Sequence, residues 1–251
     1  MDVVIIGTGN VATVLGRMIT AKHTVVQVAG RNEQYVKELC NELGCDGTTD
    51  FSQMNKNADL YIIAVSDSAI AAILPNLPIK DKLVAHTAGS VSRDVLKNIS
   101  DNYGVIYPLQ SIRKENKNIP HIPLLIDGSS DAVISDLLAF AQSITLLTGT
   151  ATDEQRVKLH IGAVISSNFV NHLYALTKKF CDKEGVLFNH LIPLIEETAK
   201  RLQHNDPAYM QTGPAIRRDM ITVKKHLHLL EEYPKLQSLY KELSESIMEG
   251  I

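Results

Sequence analysis

The stretch that decides the reading lies at the start of the chain: Val3-Val4-Ile5-Ile6-Gly7-Thr8-Gly9-Asn10-Val11-Ala12-Thr13-Val14-Leu15-Gly16. Four β-branched apolar residues, the composition of a strand buried on both faces, run directly into two glycines one residue apart. The stretch after them spaces its apolar residues as a helix does. A turn of this kind makes a distinct demand at each position. Gly7 permits a tight turn. Gly9 leaves the main chain bare so that a diphosphate can approach it, and Ala12 is small enough to let the helix lie on the strand. The N–H groups of the first helical turn, at the positive end of the helix dipole, would then face the phosphates. Gly7, Thr8, Gly9, Asn10, Val11 and Ala12 are therefore the first candidate cofactor-binding residues, the alternative being a purely structural turn.

The second strand bears on which dinucleotide is bound. An Asp or Glu at its end would hold the adenosine ribose hydroxyls of NAD. Here the chain reads Val28-Ala29-Gly30-Arg31-Asn32, with no acid. A guanidinium at that place can grip a 2′-phosphate as a fork and stack on adenine. Gly30, Arg31 and Asn32 join the candidate set, and NADP is expected over NAD. The alternative is a solvated Arg31 at a helix start.

Outward from this unit, β-rich runs alternate with helical stretches to about Gly149. The expected strands are Val3–Ile6, Thr24–Ala29, Leu60–Val65, Leu83–His86, Val105–Tyr107, Leu124–Ile126 and Thr145–Leu147. Helices are expected at Val11–Thr20, Glu33–Leu43, Ser68–Leu74, Ser92–Ile99 and Asp131–Ser143. Strict alternation implies a mostly parallel sheet with right-handed crossovers, an α/β domain over residues 1–150. After Gly149 the strand signals stop, and residues 151–251 read as an all-α domain. Thr152, with Gln155 three residues on, opens a helix that nothing breaks before Lys183, and Gly185 ends it. Further helices are expected at Asn189–Leu202, Ile216–Leu230 and Lys235–Ile247.

The bulk properties exclude several classes of function. A net charge of −3 over 251 residues gives no footprint for nucleic acid or an anionic membrane. Apolar runs fall short of the roughly 18 residues a membrane span needs. An acidic second residue and an early strand argue against a secretory leader. Three cysteines cannot all pair within one chain, so reduced thiols and a cytoplasmic setting are expected. His226 and His228, two apart on a helix, point in nearly opposite directions and make no metal pair; no metal is expected.

With Gly-Thr-Gly-Asn-Val-Ala, Gly-Arg-Asn and Ala64-Val65-Ser66-Asp67 at a strand end, the first half resembles a large Rossmann-type superfamily. Its members include 6-phosphogluconate dehydrogenase, pyrroline-5-carboxylate reductase, ketopantoate reductase and the deazaflavin-linked NADP oxidoreductases. His86-Thr87-Ala88-Gly89-Ser90, Tyr107-Pro108-Leu109-Gln110, His160 with Ser167-Asn168, and Thr212-Gly213-Pro214 before Arg217 and Asp219 resemble one subgroup of it. That subgroup joins a Rossmann domain to an all-helical domain and is provisionally described as NADP oxidoreductases. The resemblance covers essentially the whole chain. Where it implies His-Pro, this chain has Tyr107-Pro108, so a proton donor at that place would be a phenol.

Ligands of an open α/β sheet sit beyond the carboxyl ends of its strands. Ser66 and Asp67 close the third expected strand and are cofactor candidates, with helix capping the alternative for Asp67. His86 closes the fourth, near where a nicotinamide would lie, or else is a satisfied structural histidine. Tyr107 closes the fifth and reads equally as a structural tyrosine. On the long helix, at roughly 100° per residue, Ser167 falls about 20° from His160 and Asn168 some 80° round. In the related dehydrogenases the corresponding helix crosses the cleft. By that resemblance His160, Ser167 and Asn168 are the catalytic candidates, with His160 a proton donor. Lys158, roughly 160° from His160, is expected to point elsewhere. Arg217 and Arg218 either bind a substrate carboxylate or make salt bridges, and Asp219 or Thr212 caps a helix. The expectation is an NADP-dependent oxidoreductase passing a hydride between nicotinamide and a carbonyl or imine carbon of a small substrate, working as a homodimer through its C-terminal helices. A nucleotide-sensing protein without turnover is the alternative.

Overall fold

The computed structural model describes Met1 to Gly250. Two compact units are formed, one of Met1–Asn168 and one beginning at Phe169. In the first, eight strands make one sheet in the order β3-β2-β1-β4-β5-β6-β7-β8. They are β1 (Asp2–Ile6), β2 (Thr24–Ala29), β3 (Asp46–Thr48), β4 (Leu60–Ile63), β5 (Leu83–His86), β6 (Tyr103–Pro108), β7 (Leu124–Gly128) and β8 (Thr148–Thr150). All pairings are parallel except β6 with β7. Strand order reverses beside β1, which pairs with both β2 and β4, and this is where a doubly wound sheet opens its ligand crevice.

Helices α1 (Asn10–Thr20), α2 (Glu33–Leu43), α3 (Asp67–Ile73), α4 (Asp131–Ile144) and α5 (Asp153–Ala163) complete this unit. Val3 and Ile5 of β1 pack with α1, α2 and α4 on one face, and Val4 and Ile6 pack with α3 on the other. This alternation is why β1 is apolar throughout. A capping box closes the start of α5, where the Thr152 side chain accepts the Gln155 N–H and the Gln155 side chain accepts the Thr152 N–H. Immediately after α5, Val164–Phe169 forms a π-helical turn.

In this unit two expected elements fail and one strand was not foreseen. Thr145–Leu147 is no strand: Thr145 ends α4, its N–H bonded to Ala141 and its hydroxyl to the Ile122 carbonyl, and β8 begins at Thr148. β3 reads Asp-Gly-Thr and was not expected; pairing with β2 creates it, not propensity. Ser92–Ile99 contains only a 3₁₀ turn at Arg93–Leu96.

The second unit is helical, with α6 (Val170–Lys183), α7 (Ile192–Arg201), α8 (Met220–Leu229) and α9 (Pro234–Glu249). Gly185, at φ +69°, follows α6 as expected. The expected helix from Ile216 starts instead at Met220. Arg218 adopts a left-handed φ of 55°, and Asp219 caps α8 by accepting the Thr222 N–H at 3.1 Å. Arg218 is tied to the Met248 carbonyl. His226 bonds the Tyr240 hydroxyl at 2.8 Å and His228 bonds Glu231 at 2.9 Å. Among the described residues no helix is long and apolar enough to cross a membrane.

Candidate functional site

The turn after β1 forms one wall of a 760 Å³ cleft. Gly7 has a φ of +130°, and a Cβ there would sit 2.2 Å from the Ala64 carbonyl oxygen, so only glycine lets β1 turn against the end of β4. A Cβ on Gly9 would meet nothing within 4 Å. Bare main chain thus faces open cleft where a diphosphate would need it. Gly9 caps α1 without a side-chain hydrogen bond, and the first turn of α1 holds no acid. The N–H groups and positive dipole of that turn are uncompensated, the condition for binding an anion. The residues present therefore fit a dinucleotide.

Most candidate cofactor residues line this cleft: Gly7 to Val11, Gly30 to Asn32, Ser66 and Asp67. Ala12 does not. It is fully buried, as a residue whose role is close helix packing must be. Arg31 is exposed on the wall and forms no ion pair among the described residues. The Asn32 side chain is occupied, capping α2 by accepting the Tyr35 N–H at 3.0 Å. The capping alternative for Asp67 is overturned: Ser66 is the cap position of α3, and the Asp67 carboxylate accepts the Ser90 hydroxyl at 2.6 Å.

His86 stands apart. It has no exposed surface and does not line the glycine-rich cleft. Its Nδ1 accepts the Ala88 N–H at 3.2 Å and its Nε2 faces the Ser92 carbonyl at 3.3 Å, which fixes the proton on Nε2. Burial, reinforced by the Arg156 charge, pushes its pKa down to about 4. The expected contact with cofactor is corrected accordingly: a neutral histidine shapes the Thr87–Gly89 loop from behind.

That loop borders a second hollow of 970 Å³, which shares Val11, Val65 and Asp67 with the first. His160, Ser167 and Asn168 all line it, together with Tyr107. The structure brings Tyr107 and His160 together: hydroxyl and Nδ1 lie 3.0 Å apart, a hydrogen bond whose direction follows the imidazole tautomer. Gly89 makes room for the pair, because a Cβ there would lie 2.9 Å from both the His160 Nδ1 and the Tyr107 ring. The π turn explains why Ser166, Ser167 and Asn168 share one wall, since its wider turn advances each residue by less than an α-helix does. Lys158 also reaches this wall, contrary to expectation, although its Nζ is held by Glu154 at 2.5 Å and is largely exposed.

Behind the wall lies a charge cluster that sequence reading missed. Arg156, at 1% exposure, donates to the Val91 carbonyl and to Asp153, both at 2.6 Å, and sits 3.7 Å from Asp127. Its Nε and Nη1 make no hydrogen bond. Asp127 in turn accepts Arg93 at 2.6 Å. Burial opposes ionisation of Asp153, but hydrogen bonds from Ser92, Arg156 and the Arg93 N–H outweigh it and hold the carboxyl below its ordinary range. Burial raises the Tyr107 phenol, and the Arg156 charge draws it back. An arginine at this point of a helix carries no sequence signal that separates it from a solvated one.

Residues 2–89 match the family model described as NADP oxidoreductase coenzyme F420-dependent, and residues 122–247 match a domain of unknown function, DUF2520. A solved structure from Bacteroides fragilis, provisionally named an NADP oxidoreductase, is 37% identical with a TM-score of 0.92, covering 99% of this chain and 98% of its own. Two more distant structures share the fold. A reductive aminase of Aspergillus terreus in complex with NADPH and ethyl levulinate is 15% identical, with a TM-score of 0.74 and coverage of 99% and 93%. A 1-pyrroline-5-carboxylate reductase of Streptococcus pyogenes is 16% identical, with a TM-score of 0.64 and coverage of 99% and 98%. No curated protein matches. The chain belongs to the NADP oxidoreductase family in which a domain of the coenzyme F420-dependent type is followed by a DUF2520 region.

Proposed function

We propose that this protein is an NADPH-dependent reductase of a carbonyl or imine carbon in a small substrate, with Tyr107 and His160 as its proton source. The observation that carries the reading is the Tyr107–His160 hydrogen bond on the wall of a hollow that adjoins the glycine-rich cleft. The main-chain amides from Gly7 to Ala12 would hold the diphosphate, and Arg31 the 2′-phosphate. When bound, such a cofactor supplies hydride chemistry at its nicotinamide ring. The chain's own part is to orient the substrate carbon and to exclude water. It must also deliver a proton to the oxygen or nitrogen that gains charge. The Tyr107 hydroxyl can release a proton to that atom and recover one from His160 Nδ1, whose other ring nitrogen is free to exchange with solvent. Ser167 and Asn168 bring polar groups that can position the same atom. The names of the aminase and the pyrroline-5-carboxylate reductase favour C=N substrates by analogy of fold alone.

The reading extends to the division of labour. Residues 1–150 bind the dinucleotide, and 151–251 present His160, Ser167 and Asn168 to the substrate and join two subunits. Three cysteines without disulfides suit a cytoplasmic setting.

The test measures NADPH and NADH binding by fluorescence, then NADPH consumption with a panel of cyclic imines, ketoacids and aldehydes. The wild type should prefer NADPH, and Arg31→Ala should remove that preference. His160→Ala should lower kcat by about 10² to 10⁴ while leaving the NADPH Kd unchanged. Tight NADPH binding with no turnover on any substrate would favour the nucleotide-sensing alternative.

A further inference from the structure

The connection from β6 to β7, residues 109–123, has almost no regular structure. Loops of this length inside a compact unit usually serve a function. This one is fastened down. Arg17 of α1 donates from Nη1 to the carbonyls of Lys114 at 2.8 Å and Asn116 at 3.2 Å. The Asn10 side chain, in the glycine-rich turn itself, accepts the Lys114 N–H at 3.4 Å. Ile112 and Ile119 pack onto the core. A loop anchored at three places can hold one of its side chains in a definite position.

That side chain is Lys114. It is partly buried, with its ammonium 5.4 Å from the centre of the Tyr35 ring. Tyr35 lies on the first turn of α2, and together with Thr8 and Arg31 it lines the cofactor cleft. On their other side, Thr8 and Tyr35 line a hollow of 280 Å³ into which Lys114 also reaches. Of the carboxylates nearby, Glu42 is paired with Arg17 and Glu115 with Arg113 at 3.5 Å, while Glu38 accepts the neutral Gln34 amide at 2.7 Å. Lys114 forms no ion pair among the described residues, so a positive charge with a fixed approach is left beside the ribose end of the cleft. Stacking on an aromatic face holds an ammonium in place without neutralising it.

We propose that Lys114, held over the Tyr35 ring, is a second cation of the 2′-phosphate site, acting with Arg31 and discriminating NADPH from NADH. This rests on the reading that the cleft takes NADP. Arg31 offers a fork, whereas Lys114 offers a point charge on a flexible stem, able to meet a phosphate oxygen that the fork leaves free.

The test titrates Lys114→Gln with NADPH and NADH, following the fluorescence of the reduced nicotinamide, and displaces NADPH with 2′-AMP and with 5′-AMP. The Kd for NADPH should rise about tenfold, with NADH changed less than twofold and the preference for 2′-AMP over 5′-AMP reduced in step. Lys114→Arg should keep most of the NADPH affinity. Equal weakening of both dinucleotides, or an unchanged NADPH affinity, would overturn the proposal. If Arg31→Ala abolishes the preference while Lys114→Gln leaves it intact, Lys114 is excluded and the NADP reading stands. If the wild type binds NADPH and NADH equally, both are overturned.

Discussion

A buried histidine whose hydrogen bonds dictate its tautomer is a small lever on the stability of the whole protein. His86 Nδ1 accepts from the main chain, so a proton arriving there would face another N–H in a place without water. The folded protein resists that proton down to about pH 4, while the unfolded chain takes it up near 6.5. Stability contributed by neutral His86 is therefore complete above about pH 6.5, falls as pH drops toward 4, and changes no further below it. Over that window the loss should be about 3 kcal/mol, at 1.36 kcal/mol per unit of pKa difference. Urea unfolding at pH 7.0, 5.5 and 4.5 should show the decline, and His86→Gln should flatten it. An identical decline in the variant would mean that other groups carry it. The residue itself was legible as a strand-end histidine, but its burial was not. Whether such a side chain faces a ligand or the core depends on where the next loop folds, and Ser92 comes back over it only in three dimensions. Arg31 and the glycine-rich turn were legible because they answer local demands on backbone and charge.

At the scale of elements, α5 is held to the sheet by a charge cluster rather than by an apolar stripe. Arg156 is the only residue of α5 that is fully buried, and it reaches the Val91 carbonyl, Asp153 and Asp127 at once. Removing one partner of a buried ionic cluster leaves the others desolvated and unpaired. Arg156→Ala should cost about 3 kcal/mol of unfolding free energy, since buried Asp127 loses one of its two cations and the Val91 carbonyl loses its donor. Arg156→Lys should cost less. Chemical denaturation measures both, and a loss below about 1 kcal/mol for the alanine variant would show that the helix is held by other contacts. The same helix shows where periodicity stops being informative. Its start was readable from Thr152 and Gln155, because a capping box is a local pattern. The placement of Ser167 and Asn168 relative to His160 was not, because counting at 100° per residue assumes an unbroken α-helix and Val164–Phe169 is a π turn. The Tyr107–His160 contact spans 53 positions, and no spacing rule reaches that far.

For the molecule as a whole, the unexplained quantity is apolar surface. On α5 and the π turn Val157, Ile161 and Ile165, each four residues from the last, are 38%, 53% and 55% exposed. In the second unit Leu187 at 68%, Leu194 at 64% and Ile221 at 85% are exposed as well. Singly exposed apolar residues are ordinary, but a helical row of three is an interaction surface by its geometry. A second copy of the chain is the partner that needs no other component, and closed twofold pairing is the commonest way such a surface is covered. The protein should therefore run as a dimer of about 55 kDa, twice the 27.7 kDa chain, in size-exclusion chromatography with light scattering at micromolar concentration. Ile161→Glu should shift it toward monomer. That residue is exposed and does not line the glycine-rich cleft, so the same variant should leave NADPH affinity within about twofold. A wild type that elutes as a monomer at 50 µM, roughly the upper end of ordinary assay concentrations, would remove the dimer and leave the row on α5 in need of another partner.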